Sequence, residues 1–287
     1  MTQTFTLNDG NTIPAVGFGV FLIPADGSTY KAVREALDAG YRHIDTAQAY
    51  FNEKEVGQAI KDSGIPREEI FVTTKLWLQD YAYDLAVKGL NDSLEKLGLD
   101  YIDLVLLHQP YGEVEDGWRA LEDFQAAGKI KSIGVSNMTP KIWKEYVPKF
   151  KTVPAVNQVE LHPYAQQKEL RELSAKDNVL IEAWGPLGQG NKALLSDPII
   201  VRLAEKYGKD VGQIILRFEN QEGIVVLPKS TNPARIQSNL DIFDFELTAE
   251  ELDELRALDK NQPSHNPDAP GVGEWLLANY DIHADDN

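Results

Sequence analysis

Short β-branched apolar runs alternate along this chain with stretches whose apolar positions recur at helical spacing, and the alternation returns about every 30 residues. The strand-like runs are AVGFG (15–19), RHID (42–45), IFVTTK (70–75), IDLVLLH (102–108), IKSIGVS (130–136), AVNQVE (155–160), VLIEAW (179–184) and GIVVLP (223–228), eight in all. Between them lie helical patterns such as STYKAVREALDAG, YDLAVKGLNDSLEKLG, EDGWRALEDFQAAGK, TPKIWKEYV and QKELRELSAKD, mostly closed by Gly, Asn or a basic residue. Alternation of this kind predicts parallel strands joined by right-handed crossovers. Eight units in 287 residues predict a (β/α)8 TIM barrel, an architecture that typically takes about 250.

Two segments fall outside the repeat. The opening TFTLNDGNTIPAV reads as a hairpin turned at Asp9 and Gly10, placed to plug the N-terminal end of the barrel. From about Asn261 the chain is rich in Pro, Gly and Asp, and predicts a long C-terminal loop. No linker interrupts 1–260, so the whole chain, 1–287, reads as one domain. The competing architecture, an open doubly wound sheet, calls for a dinucleotide fingerprint after the first strand. GFGVFLIP has Gly17 and Gly19 but lacks the third glycine.

Composition narrows the partners. A formal net charge of −17 repels polyanions, and no run of basic residues offsets it, which argues against nucleic acid. The absence of cysteine excludes disulfides, thiolate nucleophiles and cysteine metal sites together. The five histidines are scattered without ligand spacing, so no metal is expected. The start MTQTFTLNDG has no basic or apolar targeting region, and no stretch approaches the roughly 18 apolar residues of a membrane span. A cytoplasmic protein is the expectation.

Four polar residues stand at or just beyond the ends of strand-like runs: Asp45, Tyr50, Lys75 and His108. In a parallel barrel such ends converge on one mouth. Singly, each has a plainer reading: a helix cap, a loop anchor, a solvent-facing charge, and a buried imidazole before Pro110. Together they suit the protonation of a carbonyl while a hydride arrives from elsewhere. A tyrosine is a sluggish acid at neutral pH, and a cation beside it corrects this. Lowering its pKa from about 10 to about 7 corresponds to roughly 4 kcal/mol of preferential phenolate stabilisation. Lys75 would supply the cation, Asp45 would orient it, and His108 would polarise the carbonyl.

The chain resembles the aldo-keto reductases. The motifs that carry the resemblance are GFGVF (17–21), HIDTAQAYFNEKEVG (43–57), TTKLW (73–77), LLHQP (106–110), GKIKSIGVSN (128–137), NQVELHPY (157–164), AWGPLG (183–188) and LPKSTNPARIQSNL (227–240), in the family's order and spanning nearly the whole sequence. Within the family it is most similar to the bacterial branch containing the 2,5-diketogluconate reductases and the glyoxal or methylglyoxal reductases. The resemblance implies that Tyr50 is the general acid, Lys75 and Asp45 the pair that tunes it, and His108 the carbonyl-orienting residue. The reaction implied is NADPH-dependent reduction of an aldehyde or ketone, by a monomer, on a small dicarbonyl, a keto-sugar or an aromatic aldehyde.

The resemblance also distributes the cofactor. Ser136, Asn137 and Gln158 match positions that bind the nicotinamide carboxamide, and Trp184 the position on which the ring stacks. Gly185, Pro186, Leu187 and Gly188 can bring backbone amides to a pyrophosphate, because two glycines remove side-chain bulk. Lys229, Ser230 and Arg235 match the 2′-phosphate site and Asn239 the adenine contact, which points to NADP(H) over NAD(H). Ser238 departs from the Glu or Gln of many relatives. Val20, Phe21, Trp77 and Trp275 would line the substrate pocket by analogy. Gln109 replaces a frequent tryptophan, and Leu78 to Tyr81 departs from a usual Asn-containing segment.

Two other functions remain open from sequence. One is a class I aldolase-like enzyme with a Lys75 Schiff base, which the neighbouring Asp45 disfavours by keeping the amine protonated. The other is an NADPH-binding regulatory subunit with little turnover, as in the potassium-channel β-subunits of the same superfamily.

Overall fold

The computed structural model describes residues 3–284. An antiparallel hairpin, β1 (Thr4–Thr6) and β2 (Thr12–Pro14), precedes eight parallel strands: β3 (Phe18–Gly19), β4 (His43–Asp45), β5 (Phe71–Leu76), β6 (Ile102–Leu107), β7 (Ile130–Ser136), β8 (Val156–Glu160), β9 (Leu180–Trp184) and β10 (Val225–Leu227). Neighbours in sequence are neighbours in the sheet from β3 to β10. The two edge strands then meet, with Gly17 N donating to Val226 O at 2.9 Å and Val226 N to Ala15 O at 3.1 Å. This is the barrel that the eightfold alternation predicts.

Strand periodicity decides what enters the barrel. On β6, Leu104 and Leu106 pack inside with Phe71 of β5, Val156 of β8 and Val225 of β10, while Val105 and Leu107 face the surrounding helices. The same parity turns Asp45, Lys75, His108, Gln158 and Glu182 toward the axis. Leu7 and Ile13 of the hairpin join the inner cluster from below, so the predicted plug is present. Its turn is closed by Gly10, whose φ of +87° suits a residue without a Cβ.

In the outer layer two helices approach closely at a glycine. Gly57, in helix Glu53–Asp62, faces the end of helix Tyr83–Leu97, where an added Cβ would lie 2.1 Å from the Leu97 carbonyl oxygen. Ala would gain about 0.5–1 kcal/mol of helix preference over Gly, but a backbone carbonyl cannot yield as a side chain can. Gly57→Ala is therefore expected to destabilise the fold by about 2 kcal/mol net, read as a lower denaturant midpoint with an unchanged slope.

The C-terminal loop prediction needs correction. The irregular segment runs only to Gly271, and Val272–Asn279 is helical. Two glycines and a proline in PGVG mask the helix in the sequence, and tertiary contacts form it. Leu276 is buried, Gly273 packs against the Tyr111 ring, and just beyond the helix Tyr280 O accepts from Trp77 Nε1 at 3.0 Å. Among the described residues no helix is long and apolar enough to cross a membrane.

Candidate active site

A cavity of about 770 Å³ opens at the C-terminal ends of the strands. Asp45, Tyr50 and His108 line it, and Lys75 lies immediately beneath, fully buried. Lys75 Nζ donates to Asp45 Oδ1 at 2.6 Å, to Thr46 O at 2.9 Å and to Tyr50 Oη at 3.3 Å, using all three of its N–H groups. Tyr50 ends a short 3-10 turn, Gln48–Tyr50, that carries it from the end of β4 to the mouth. Its ring meets that of His108 edge-on at 5.5 Å.

Electrostatics follow from burial and from one cation. Burial works against the charge on Lys75, but Asp45 and the Tyr50 oxygen outweigh it and hold the amine above its ordinary value. Burial pushes the Tyr50 phenol up, and Lys75 offsets this only in part. The net lowering of Tyr50 expected from its neighbour is thus not found: in this setting desolvation of the phenolate is the larger effect, and the hydroxyl stays protonated at neutral pH. Burial first, and Lys75 second, hold His108 well below the usual histidine range, so its imidazole is neutral.

From this cluster the cavity extends past Ser136, Asn137, Gln158 and Trp184, then Gly185, Pro186 and Leu187, to Lys229, Ser230, Arg235 and Asn239. Asn137, at φ +59°, accepts from Trp184 Nε1 at 2.9 Å and donates to His108 O at 3.2 Å and Gln109 Oε1 at 3.3 Å, tying the indole to the strand ends. Ser136 Oγ donates to the Gln158 backbone carbonyl. At the far end, helix Pro233–Leu240 is capped by Asn232, and Arg235 Nε donates to Ser230 Oγ at 3.4 Å. Among the described residues, Lys229 and Arg235 are paired with no carboxylate, in a chain whose net charge is −17. A long cavity with two uncompensated cations and a hydroxyl at one end, and hydrogen-bonding groups at the other, fits a phosphorylated dinucleotide.

Phe21, Trp77, Gln109 and Trp275 line the mouth as expected. Two residues do not lie where the sequence places them. Val20 has the parity of Val16 and Phe18 and points outward into the helix-facing core, fully buried. Gly188 turns off the wall, where a Cβ would meet Leu194 at 2.8 Å. Ser238 is also absent from the cavity wall, its hydroxyl bonded back to Arg235 O.

Sequence reasoning missed Leu22, Gln189, Ser264, His265, Leu276 and Tyr280, all on the wall, and Glu182 just behind it. The loop residues carry no local signal, since the C-terminal segment brings four of them from far along the chain. Ser264 and His265 are tethered there by Glu160, which accepts from both of their backbone N–H groups at 2.9 and 3.0 Å. A second cavity of about 970 Å³ lies beyond Asn137, Trp184 and His265, which line both, but none of the four strand-end groups reaches it.

Comparison with known proteins agrees with this architecture. The sequence profile of the Aldo/keto reductase family matches residues 24–260. An aldo-keto reductase of Mycolicibacterium smegmatis is 48% identical over 262 residues, covering 90% of this chain and 94% of its own. The glyoxal reductase of Bacillus subtilis is 43% identical over 270 residues, covering 93% and 97%. A crystal structure of a Gox0644 mutant in complex with NADPH superposes with a TM-score of 0.88 at 37% identity, covering 94% of this chain and 98% of that one. Matched along nearly its full length in both sequence and barrel geometry, the chain belongs to the aldo/keto reductase family.

Proposed function

We infer that the protein is an NADPH-dependent carbonyl reductase in which Tyr50 is the proton donor. The observation that carries the reading is the Asp45–Lys75–Tyr50 chain at the floor of a cavity whose other end holds two cations that pair with no carboxylate among the described residues. NADPH would supply the hydride, held by Ser136, Asn137 and Gln158 at the nicotinamide, Trp184 on the ring face, Gly185 to Leu187 at the pyrophosphate, Lys229, Ser230 and Arg235 at the 2′-phosphate and Asn239 at the adenine.

The chain's own part is positioning and proton delivery. His108, neutral, donates one N–H to the substrate carbonyl oxygen without competing as an acid. Tyr50, held protonated, gives up its proton as that oxygen gains negative charge, and the Lys75 ammonium stabilises the phenolate left behind. Asp45 keeps Lys75 charged and aimed. Phe21, Trp77, Trp275 and Tyr280 exclude water and offer apolar surface to the substrate. Small dicarbonyls and aromatic aldehydes suit such a wall, and similarity to a glyoxal reductase supports the former. The protonated, triply donating Lys75 has no lone pair to attack a ketone, which weighs against a Schiff base. The intact proton-donating cluster favours turnover over a purely regulatory role.

The test is loss of reduced-nicotinamide absorbance with methylglyoxal, benzaldehyde and a keto-sugar acid, using NADPH and NADH in parallel, for wild type and Arg235→Ala. Wild type is expected to consume NADPH. Losing a hydrogen bond to a charged partner costs about 1.5–3 kcal/mol, so Arg235→Ala should raise KM for NADPH by roughly 10- to 100-fold and that for NADH by less than about threefold. Equal effects on both cofactors would remove Arg235 from the 2′-phosphate site, and no oxidation of either cofactor would overturn the reductase reading.

A further inference from the structure

Glu182 sits in the middle of the apolar run LIEAW, faces the inside of the barrel and is completely buried. Gln158 is its lateral partner across the β8–β9 ladder. The Gln158 side-chain amide donates from Nε2 to Glu182 Oε2 at 2.7 Å and also to Asp45 Oδ2 at 2.9 Å. A primary amide has two N–H groups, so both are used, one on each carboxyl. The amide dipole is thereby oriented: rotating it by half a turn would set its carbonyl oxygen against the Asp45 carboxylate and turn both N–H groups away from these acceptors in a dry interior. A hydrogen-bonded chain results, Glu182 to Gln158 to Asp45 to Lys75 to Tyr50, running across the barrel beneath the cavity.

Glu182 is otherwise costly to keep. Its Oε1 has no hydrogen-bond partner and lies 3.8 Å from Nε2 of His43, which bonds instead to Thr73 Oγ1. Burial, then the Asp45 charge, push the carboxyl up to about 8, while burial, then Lys75, hold His43 down at about 3. At neutral pH the site therefore holds a neutral acid beside a neutral imidazole, not an ion pair. In either protonation state Glu182 retains an oxygen that accepts from Gln158.

We propose that Glu182 is a positioning residue for the nicotinamide, acting through Gln158 by fixing the side-chain amide so that its carbonyl oxygen, not its NH2 group, is presented to the carboxamide of the cofactor. The inference rests on the NADPH reading above. Asp45 alone holds one of the two amide protons, and without Glu182 the other is left without an acceptor. Gln158 then turns to find one, and the acceptor that the carboxamide needs is no longer held in place.

Binding titrations on the intact protein test this, with NADPH and with adenosine 2′,5′-bisphosphate, which carries the adenine and 2′-phosphate but no nicotinamide. Glu182→Val should weaken NADPH binding by about tenfold, the worth of one ordinary hydrogen bond, and leave the bisphosphate within about twofold. Glu182→Gln, which keeps an accepting oxygen, should restore NADPH binding. Adding Glu182→Val to Gln158→Ala should cost nothing more, because the effect passes through that side chain. If Glu182→Val does not fold, Glu182→Met serves the same comparison. Unchanged NADPH affinity in Glu182→Val, equal loss of both ligands, or additive loss in the double variant would each overturn the proposal. Wild type that binds the bisphosphate but not NADPH, or neither, overturns the cofactor reading and this inference with it, a result read on wild type before any variant.

Discussion

Tyr50→Phe is expected to lower turnover by about 10³-fold while leaving the dissociation constant for NADPH within about twofold, because a positioned general acid contributes roughly 10²–10⁴. The substitution removes one oxygen and keeps the ring. The edge-on contact with His108 and the contact with Phe21 at 5.0 Å depend on the ring alone, so the cavity wall survives. Lys75 loses only its longest contact, at 3.3 Å, and retains Asp45 and Thr46. What disappears is the hydroxyl that faces the cavity beside His108 and is backed by the Lys75 ammonium. Single-turnover absorbance with pre-bound NADPH separates the chemical step from cofactor release. A variant that retains more than a tenth of wild-type turnover would remove Tyr50 as the proton donor.

Lys75→Met should affect both stability and activity, and the two can be separated. Lys75 is fully buried and pairs with Asp45 at 2.6 Å. Removing one member of a buried pair leaves the other charge uncompensated and typically costs about 3–5 kcal/mol. Met matches the aliphatic stem, so little of the loss comes from a cavity. Asp45 would retain only the amide of Gln158. Adding Asp45→Asn removes the stranded charge, so Lys75→Met with Asp45→Asn is expected to recover more than half of the lost stability, measured by denaturant unfolding, and none of the lost turnover. If the double variant is as unstable as the single one, the cost lies in packing and not in charge. If it regains activity, the cation beside Tyr50 has no part in catalysis.

The eight strands were legible because each is a short apolar β-branched run closed by a turn, and their converging ends gave Lys75 and His108 a place at one mouth. Position at a strand end does not fix direction: Val20, two residues beyond Phe18, shares its outward parity and so misses the cavity. Tyr50 lies beyond its strand, so parity says nothing of it. Its place depends on the 3-10 turn Gln48–Tyr50 and on Gln48, whose amide bonds to Trp77 N and Gly89 O. The direction of its pKa also depends on the fold. Sequence supplies the neighbouring cation, but only the packed site shows that loss of water outweighs it.

What the sequence by itself determined is the set of local decisions: strand and helix alternation, the hairpin at Asp9 and Gly10, the polar groups at strand ends, and the basic pair at Lys229 and Arg235. These follow from patterns of a few residues, where periodicity and turn chemistry act. Tertiary structure alone decided everything that joins distant segments: the helix Val272–Asn279 laid over the mouth, Ser264 and His265 anchored by Glu160, and Glu182 linked through Gln158 to Asp45. In the sequence Glu182 is a single carboxyl in an apolar run, 137 positions from Asp45. Barrel closure brings those strands to one axis, where the absence of water makes each remaining hydrogen bond consequential.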